Sequence, residues 1–492
     1  MADYPTEDAS LPPAAESWPK RRSLSRSPER QPSTTGTEMA GTEMTDTEMT
    51  DATESMADPT ASDRTSSRAT SVQQIRSACI HGDLAELQSL AASEGGLLTD
   101  ELRQVAWPVL LGLPVDGDGR VDEKAAAAKA GMAVDEGDAS WQNLPAHRDE
   151  EQVQLDVNRA FVYYPIHASP VEEARQRRAL SDLIVEVLRR QPFLCYFQGF
   201  HDICQVLLLV LPPGLRTPAV LRLAVLRIRD FMLPTIDAAV TQLQLLPDIL
   251  QLADRPLWTH LHLAQHPRPF FALGGTLTMY AHDMRSLGAI ARVFDVLLAR
   301  PPDFSLYLFA AIVCAHRSAL FATPADEPEM LHHILSRLPG DAGDPVDGET
   351  PPGHHLDLLV ADAARLADRF PPHVLPAWRA VSAASVLKTA QRPGGIVAQS
   401  VADGERLFRT HVRELDRADR HRLRRAHLHK MLIQYRTPLR AVGVAVLVGV
   451  LAIWLRRAGP TGTSSATSLG NLLARPFTAA ASGLSRLGIR FT

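Results

Sequence analysis

The sequence predicts an all-α protein, and three observations support that prediction. Between residues 151 and 336, apolar residues recur at i, i+3 and i+4, which is the period of helices that bury one face. Alternation with a period of two, which is typical of strands, is nearly absent there. Hydrophobic residues make up 45% of the 492 residues, so the chain can bury a sizeable core and has room for two or three domains.

The composition argues against several classes of partner and site. The formal net charge is −5 and aromatic residues are 6%, which gives no reason to expect a nucleic-acid partner. No C-x-x-C pair occurs among the four cysteines, so zinc and thioredoxin-like sites lack ligands. The apolar neighbours of these cysteines indicate buried thiols in a reducing compartment.

The amino-terminal region, residues 1–70, is predicted to be disordered. It is rich in Ser, Thr, Pro, Glu and Arg and poor in large aliphatic residues, so it cannot bury enough apolar surface to offset its chain entropy. No apolar segment typical of a secretory signal peptide opens the sequence. We therefore expect the amino-terminal bulk to lie in the cytosol.

A helical domain is predicted over residues 72–338. After a first helical pattern, residues 102–112 predict a short helix with Trp107 as its aromatic anchor and a glycine stop. Residues 115–140 are rich in Gly, Asp and Ala and predict a loop insertion. The apolar run 203–211 is too short to cross a bilayer and ends in two prolines, so it is predicted to be a core helix.

The carboxyl-terminal part of the chain divides into four segments. Residues 339–356, rich in Gly, Pro and Asp, predict a flexible loop. Residues 357–437 predict a helical extension that ends in a basic juxtamembrane stretch. Residues 438–457 predict a transmembrane helix, because an uncharged apolar run is flanked by arginines; a buried core helix is the alternative. The tail, 458–492, is either luminal or an interfacial helix, and the sequence leaves that choice open.

Two short motifs about forty residues apart carry the chemistry. Residues 153–159 have an apolar-x-x-Asp-x-x-Arg spacing, with Asp156 one helical turn before Arg159. Tyr196-Phe197-Gln198-Gly199 is the second motif. Together they offer one permanently charged guanidinium and one neutral carboxamide, which suit a site that acts on another protein's nucleotide. Taken alone, each is commonplace, because Asp-x-x-Arg is a frequent surface ion pair.

In this order, the motifs resemble the TBC domain of Rab GTPase-activating proteins over about residues 98–338. Arg103-x-x-x-Trp107-x-x-Leu110-Leu111-Gly112 is similar to the opening motif of that family. Residues 291–298 are similar to a later helix in which an Asp follows an aromatic residue. The fuller strings 143–157 and 196–203 resemble the endoplasmic-reticulum-anchored branch, whose members carry a membrane span near the C-terminus.

The resemblance implies an all-α TBC-type helical domain that supplies an arginine finger, Arg159, and a glutamine finger, Gln198, to a Rab-family GTPase in its GTP form. It also implies supporting or partner-binding roles for Asp156, Tyr196, Arg103, Trp107 and Gly199. We expect Asp156 to hold local structure or orient Arg159, and Tyr196 to pack beside Gln198 and contact the GTPase.

Two further expectations concern the neighbourhood of these residues. His201 and Asp202, at the start of a predicted helix, are expected to cap it. No cofactor or metal is expected in this chain, because it has no Gly-x-x-x-x-Gly-Lys-Ser/Thr loop. GTP and magnesium belong to the partner GTPase.

The first functional hypothesis is therefore a Rab GTPase-activating protein in endoplasmic-reticulum-to-Golgi vesicle traffic. It would be a single-pass protein of the endoplasmic reticulum membrane, with its amino-terminal bulk in the cytosol. The alternative is a non-catalytic, membrane-anchored scaffold that binds a Rab through the same surface. A third hypothesis is a membrane-shaping protein that acts through its carboxyl-terminal tail.

Overall fold

The described part of the chain folds into helices. A computed structural model describes residues 59–116, 120–132, 140–165, 169–265, 268–341, 354–434 and 436–458, and the structural statements that follow concern these residues. Their extended pairing is limited to one isolated antiparallel bridge between Val115 and Val121. The all-α prediction is confirmed for these residues.

The first helices differ from the sequence predictions in two places. They are α1 (Pro59–His81), α2 (Leu84–Ala92), α3 (Asp100–Leu110) and α4 (Glu123–Lys129). Helix α1 begins inside the segment 1–70 for which the sequence predicts disorder, and residues 1–58 lie outside the described part. Helix α4 lies within the predicted loop insertion, because a run of alanines favours helix there. The Asp122 carboxylate starts α4 by accepting from the backbone N–H groups of Lys124 and Ala125.

The next helices position the candidate site. They are α5 (Glu150–Val157), α6 (Pro170–Arg190), α7 (Phe200–Val210), α8 (Pro213–Arg222) and α9 (Asp237–Leu243), with a π-helical turn at Leu223–Arg227 after α8. The Ser169 hydroxyl caps α6 by accepting from the backbone N–H of Glu172, and Pro170 fits the first helical position. Helix α7 contains residues 203–210 of the predicted core helix 203–211, ends one residue before its predicted end, and is buried over most of its length.

The remaining helices complete the body and its carboxyl-terminal extension. In the body they are α10 (Leu245–Ala253), α11 (Arg255–His260), α12 (Leu273–Leu277), α13 (Leu287–Ala299), α14 (Phe304–Ala315), α15 (Arg317–Ala322) and α16 (Pro328–Asp341). The extension contains α17 (His354–Arg369), α18 (Val386–Thr389), α19 (Val401–Gln434) and α20 (Arg436–Ala458). Helix α14 packs along α17, so the extension covers the body. Most of the predicted loop 339–356 lies between α16 and α17, outside the described residues.

A buried polar cluster joins α3 to α13. The Asp295 carboxylate, which is fully buried, accepts from the Arg103 guanidinium at 3.0 Å and from the indole N–H of Trp107 at 2.8 Å. The backbone N–H of Leu97 adds a third donor at 3.1 Å. A buried carboxylate is tolerated because such donors replace the water it has lost. Arg103 and Trp107 therefore hold two helices together.

Buried arginines of α8 and the segment after it bind the extension to the body. Arg222, fully buried, donates to the carbonyl groups of Ile396 and Gln399. Arg229, also buried, donates to the Ala384 carbonyl at 2.6 Å. Because buried guanidinium groups need these acceptors, the extension is part of the core rather than a loose appendage.

The predicted transmembrane helix is not confirmed. Helix α20 covers the predicted segment 438–457, but in the described residues no helix combines the length and apolar character that crossing a membrane needs. Arg440 and Arg456 limit the uncharged run to residues 441–455, about 22 Å of helix against about 30 Å of hydrocarbon. Residues 459–492 lie outside the described part of the chain.

Candidate functional site

Arg159 lies directly after the end of α5. Its backbone N–H donates to the Asp156 carbonyl at 3.0 Å and closes the last turn of the helix. Its side chain is 65% exposed. A guanidinium at this place is accessible to a protein that binds the same face.

The Asp156 carboxylate holds Arg159 and connects it to the second motif. This carboxylate is fully buried; its Oδ1 accepts from Nη2 of Arg159 at 2.5 Å and from Nε2 of Gln152 at 3.2 Å. Its Oδ2 accepts from the Tyr196 hydroxyl at 2.9 Å. Burial raises the pKa of Tyr196, and the charge of Asp156 raises it further, so the hydroxyl stays protonated and donates. One carboxylate therefore bonds to both motifs.

Gln198 is exposed in the turn that precedes α7, and Gly199 sets the shape of that turn. Gly199 has a φ of +106°, a conformation that residues with a Cβ rarely adopt. A Cβ on Gly199 would also lie 2.6 Å from Cγ2 of Thr278. The turn that carries Gln198 is therefore packed closely against Thr278. Gln198 itself lies two residues after Tyr196, whose hydroxyl bonds to Asp156.

A buried glutamine of α7 fixes the loop that follows Arg159. Oε1 of Gln205 accepts from the backbone N–H of Phe161 at 3.0 Å, and its Nε2 donates to the Tyr164 carbonyl at 3.0 Å. Phe161 has a φ of +64°, which is unfavourable for an aromatic residue and has to be enforced by its contacts. The Gln205 side chain enforces the loop conformation from both ends.

The same loop presents two exposed apolar side chains beside Arg159. Val162 is 73% exposed and Tyr163 is 45% exposed. The guanidinium of Arg285 lies 5.9 Å from the centre of the Tyr163 ring. Exposed apolar groups next to cations are typical of a surface that binds another protein.

Residues 278–284, between α12 and α13, contact the second motif and the loop that follows the first. Thr278 packs against Gly199, as described above. The Tyr164 hydroxyl, in the loop after Arg159, donates to the Ala281 carbonyl at 3.3 Å. We call this segment the bridging turn, because it fixes the Arg159 loop relative to the Gln198 turn.

The structure corrects the prediction for His201 and Asp202. They do not cap α7, which has Gly199 at its N-cap and no side-chain cap there. Instead, Oδ1 of Asp202 lies 3.3 Å from Nε2 of His201, and its Oδ2 lies 3.0 Å from Nδ1 of His282 on the bridging turn. Nδ1 of His201 lies 3.3 Å from the Tyr196 hydroxyl.

Arg103 and Trp107 lie in a different part of the fold from this network. Their side chains bond to Asp295 and Asp100 in the cluster described above. Within the described residues, none of their hydrogen bonds reaches Arg159 or Gln198. The structure therefore gives these two residues a supporting role in the core.

Sequence reasoning missed the three residues that define the geometry of the two motifs. Gln205, Thr278 and His282 lie far along the chain from the groups they touch; Asp202 and His282 are separated by 80 residues. One signal was present for Gln205, which is a polar residue inside an apolar helical run. A polar residue buried in such a run needs a hydrogen-bond partner.

Chemically, the site offers an exposed permanent cation, an exposed neutral amide and an imidazole paired with a carboxylate. The guanidinium can bind two oxygens of an anion at once. The carboxamide can accept from a water molecule while it donates to an oxygen. These are the functions that phosphoryl transfer to water requires from a catalyst that acts from outside the nucleotide site.

Comparisons with known proteins give one family match and several relatives. Residues 100–321 match the Rab-GTPase-TBC domain. The chain is 28% identical over 345 residues to GTPase-activating protein gyp10 of Schizosaccharomyces pombe, an alignment that covers 70% of this chain and 84% of that protein. It is 31% identical over 329 residues to TBC1 domain family member 20 of Mus musculus, covering 64% of this chain and 74% of that protein. The solved Ypt/Rab-GAP domain of Gyp1p aligns with a TM-score of 0.44 at 15% identity, over 58% of this chain and 93% of that one.

Proposed function

Because this chain belongs to the Rab-GTPase-TBC domain family and is a Rab GTPase-activating protein, we propose that it inserts Arg159 and Gln198 into the nucleotide site of a GTP-bound Rab. The observation that carries the proposal is the bonding of both motifs to the one buried carboxylate of Asp156. The charge comes from Arg159, and the amide that orients water comes from Gln198.

Arg159 has the charge and the exposure that an arginine finger needs. Hydrolysis of GTP develops negative charge on the phosphoryl oxygens in a loose transition state. A guanidinium placed there stabilises that charge, and an arginine supplied by an activator is worth about 10³–10⁵-fold in rate. Asp156 holds the guanidinium before the encounter, so less side-chain freedom is lost on binding.

Gln198 has the chemistry to position the attacking water. Its amide oxygen accepts a hydrogen bond from water while its N–H₂ group donates to the phosphate or to the GTPase. The fixed turn at Gly199 supports this role, because a water-orienting group must be held in place to be useful. By family resemblance, Gln198 takes the place of the GTPase's own glutamine.

Single-turnover GTP hydrolysis by a panel of Rabs tests the assignment. We expect Arg159→Ala to lower the accelerated rate by about 10³–10⁵-fold. We expect Gln198→Ala to lower it by orders of magnitude as well, because the water is no longer oriented.

Arg175→Ala is the matched control for the arginine. Arg175 is 76% exposed and pairs with Glu172 at 2.8 Å across one turn of α6, which parallels the Arg159–Asp156 pair without the contact to the second motif. This variant should hydrolyse at the wild-type rate. Gln198→Ala and Arg175→Ala should unfold at the wild-type temperature, and Arg159→Ala should stay folded at the assay temperature, with a lower unfolding temperature because the buried Asp156 carboxylate loses one partner. Wild-type rates in both Arg159→Ala and Gln198→Ala would refute the finger roles.

The scaffold hypothesis makes the opposite prediction for the same surface. A scaffold binds the GTP form of a Rab and leaves its hydrolysis rate unchanged. The exposed pair Val162 and Tyr163 suits such binding as well as it suits catalysis. Stable binding without acceleration across the panel would favour the scaffold.

We place this activity at the endoplasmic reticulum membrane, in traffic towards the Golgi, with the amino-terminal bulk in the cytosol. Support comes from the resemblance of residues 143–157 and 196–203 to the anchored branch. Helix α20 adds support, because its apolar side chains, such as those of Ile453 and Trp454, are exposed. We propose that α20 attaches the protein to this membrane, next to the arginines of α19, which suit anionic lipid.

Flotation with vesicles tests the membrane attachment. The full chain should float with vesicles that contain anionic lipid, and a chain that ends at residue 434 should remain at the bottom of the gradient. Equal flotation of both would remove α20 from the proposal without affecting the assignment of Arg159 and Gln198.

A further inference from the structure

The bridging turn contacts the Gln198 turn and the loop after Arg159, and it displays one side chain to solvent. Met279 and Tyr280 have φ angles of +51° and +68°, which non-glycine residues adopt only where contacts enforce them. Backbone strain of this kind is concentrated at functional sites. The displayed side chain is that of His282, which is 65% exposed.

A continuous series of polar contacts links His282 to Arg159. It runs from His282 through Asp202, His201, Tyr196 and Asp156 to Arg159, with successive distances of 3.0, 3.3, 3.3, 2.9 and 2.5 Å. The series includes Tyr196, before Gln198 in the chain, and His201 and Asp202 of α7, after it. His282 therefore belongs to the same polar network as the two proposed finger motifs.

We propose that His282 is a third binding residue of this site and that its Nε2 binds an anionic oxygen of the GTPase complex. This inference rests on the proposed function. Because Nδ1 faces the Asp202 carboxylate at 3.0 Å, Nε2 is the nitrogen that a partner can reach. The oxygen belongs either to a nucleotide phosphate or to a carboxylate on the GTPase, and both require a donor from His282.

Protonation decides whether Nε2 can donate. In the neutral ring the proton lies on Nδ1, where it bonds to Asp202, and Nε2 then presents a lone pair that repels an anion. In the imidazolium form both nitrogens donate. Binding therefore requires the charged ring.

The surroundings of His282 favour its charged form. Its hydrogen bond to the Asp202 carboxylate raises the pKa of His282 above the usual value. Partial desolvation of the ring by its neighbours opposes this, and the charge of Asp283 on the same turn raises the pKa further. The Arg159 cation, at the end of α5, acts in the opposite direction. His201 faces the other oxygen of Asp202 and shares its negative charge. When the anion of a partner arrives, it adds a further attraction for the proton.

The test is the pH profile of Rab GTP hydrolysis between about pH 6 and about pH 9, with the full chain as activator. The rate of the Rab without activator is subtracted at every pH. For the wild type we expect kcat/KM to fall by about tenfold or more as the pH rises through the pKa of His282, because a charge-assisted hydrogen bond is lost. For His282→Gln we expect a low value already at acidic pH and no fall of this kind.

Two further variants separate charge from structure. His282→Arg carries a permanent charge and should keep a high kcat/KM at alkaline pH, where the wild type has lost its own. His373→Gln is the matched control, because His373 is an exposed histidine in the 3₁₀ turn Pro372–Val374 and belongs to no part of this site. It should reproduce the wild-type profile.

The kinetic constants distinguish the two sources of the oxygen. If the oxygen belongs to the phosphate, His282→Gln lowers kcat, because the charge on that oxygen grows in the transition state. If it belongs to a carboxylate on the GTPase, the same variant raises KM and leaves kcat unchanged. Wild-type constants and a wild-type pH profile for His282→Gln would overturn this inference alone. Failure of the wild-type chain to accelerate any Rab would overturn the proposed function and this inference together.

Discussion

At the scale of single residues, long-range hydrogen bonds determine where the proposed finger residues lie. Gln205 contributes two of these bonds, and they fix the backbone on both sides of Val162 and Tyr163. The loop belongs to no helix, so its conformation depends on such side-chain contacts. A substitution at Gln205 should therefore alter the position of Arg159, although Gln205 bonds only to residues after it in the loop.

We expect Gln205→Leu to destabilise the protein and slow GTP hydrolysis together. The substitution removes the Gln205 side chain's hydrogen bonds to the Phe161 N–H and to the Tyr164 carbonyl, and the loss of a hydrogen bond to a buried group costs about 1–3 kcal/mol. Urea unfolding and single-turnover hydrolysis measure the two effects. Gln154→Leu, at an exposed position of α5, serves as the control. If Gln205→Leu weakened neither property, the loop would not depend on this clamp.

The close contact between Gly199 and Thr278 can be tested by a substitution at Gly199 and a compensating substitution at Thr278. Gly199→Ala should abolish most of the activation, because the new Cβ would meet Cγ2 of Thr278 at 2.6 Å and φ would remain at +106°. Thr278→Ser removes Cγ2 and keeps the hydroxyl, which donates to the Gly274 carbonyl at 2.9 Å. The double variant should recover part of the lost rate and stability. Absence of any recovery would show that backbone strain alone causes the defect.

The sequence predicts these local features unevenly, and the reason is the range of each contact. Asp156 and Arg159 are three residues apart, so helical spacing alone places them together, and they form an ion pair of 2.5 Å. The partner of the Tyr196 hydroxyl is 40 residues away, and that of Nδ1 of His282 is 80 residues away. No periodicity encodes such pairs, because they arise only when the helices pack. The catalytic roles of Arg159 and Gln198 stay predictions.

At the scale of helices, the buried cluster around Asp295 shows what holds the body together. Its partners come from α3 and from the segment before it, while Asp295 itself lies on α13. The opening motif of the sequence, Arg103 to Gly112, therefore has a structural explanation. Its arginine and tryptophan neutralise and solvate a carboxylate that water cannot reach.

Asp295→Asn should destabilise the fold without altering the proposed site directly. The Arg103 cation would lose its buried counter-charge and keep only the half-exposed carboxylate of Asp100, and breaking a buried pair costs about 3–5 kcal/mol. Chemical denaturation measures the loss. Asp419→Asn is the control, because Asp419 and Arg422 form an exposed pair at 3.4 Å, which contributes about 1 kcal/mol or less. Equal effects of the two substitutions would contradict a stabilising role for the buried cluster.

At the scale of the whole molecule, the extension after residue 354 is required by the body it covers. Asp230, fully buried, accepts from the Ser385 hydroxyl and from the Val386 backbone N–H, and the buried Arg222 and Arg229 bind carbonyl groups of the same region. The match to the family ends at residue 321, before these partners. The folding unit is therefore longer than the matched domain.

Truncation tests this conclusion. A chain of residues 59–341 would expose the face that α17 covers. It would also remove those partners of three buried charged groups, Asp230, Arg222 and Arg229, that come from the extension, so we expect it to aggregate or to unfold without cooperativity. A chain of residues 59–434 should not aggregate and should unfold in a single cooperative transition. Thermal melts followed by circular dichroism provide the comparison, and a cooperative melt of the shorter chain would refute the requirement.

The dependence of stability on pH should reveal a buried carboxyl group, Asp303, whose ionisation is unfavourable in the folded protein. Burial raises the pKa of Asp303 to about 6, although a hydrogen bond from Gln391 at 2.9 Å partly offsets the shift. Because the pKa is raised in the folded state, the stability linked to this proton is complete below about pH 4 and is lost as the pH rises through about 6. Between pH 7 and pH 5, the unfolding free energy should rise by about 1 kcal/mol more in the wild type than in Asp303→Asn. Parallel pH curves for the two proteins would contradict the shift.

The ion pair between Arg159 and Asp156 also has a consequence for turnover. In the proposed mechanism, a guanidinium already held by a carboxylate approaches the nucleotide in a fixed orientation, but with part of its charge neutralised. In that mechanism, Arg159 exchanges its Asp156 partner for the phosphate during each encounter and pairs with Asp156 again after hydrolysis. The ion pair that orients Arg159 therefore also slows its release from Asp156. In the proposed mechanism, the fastest activator is one in which this resting ion pair has only moderate strength.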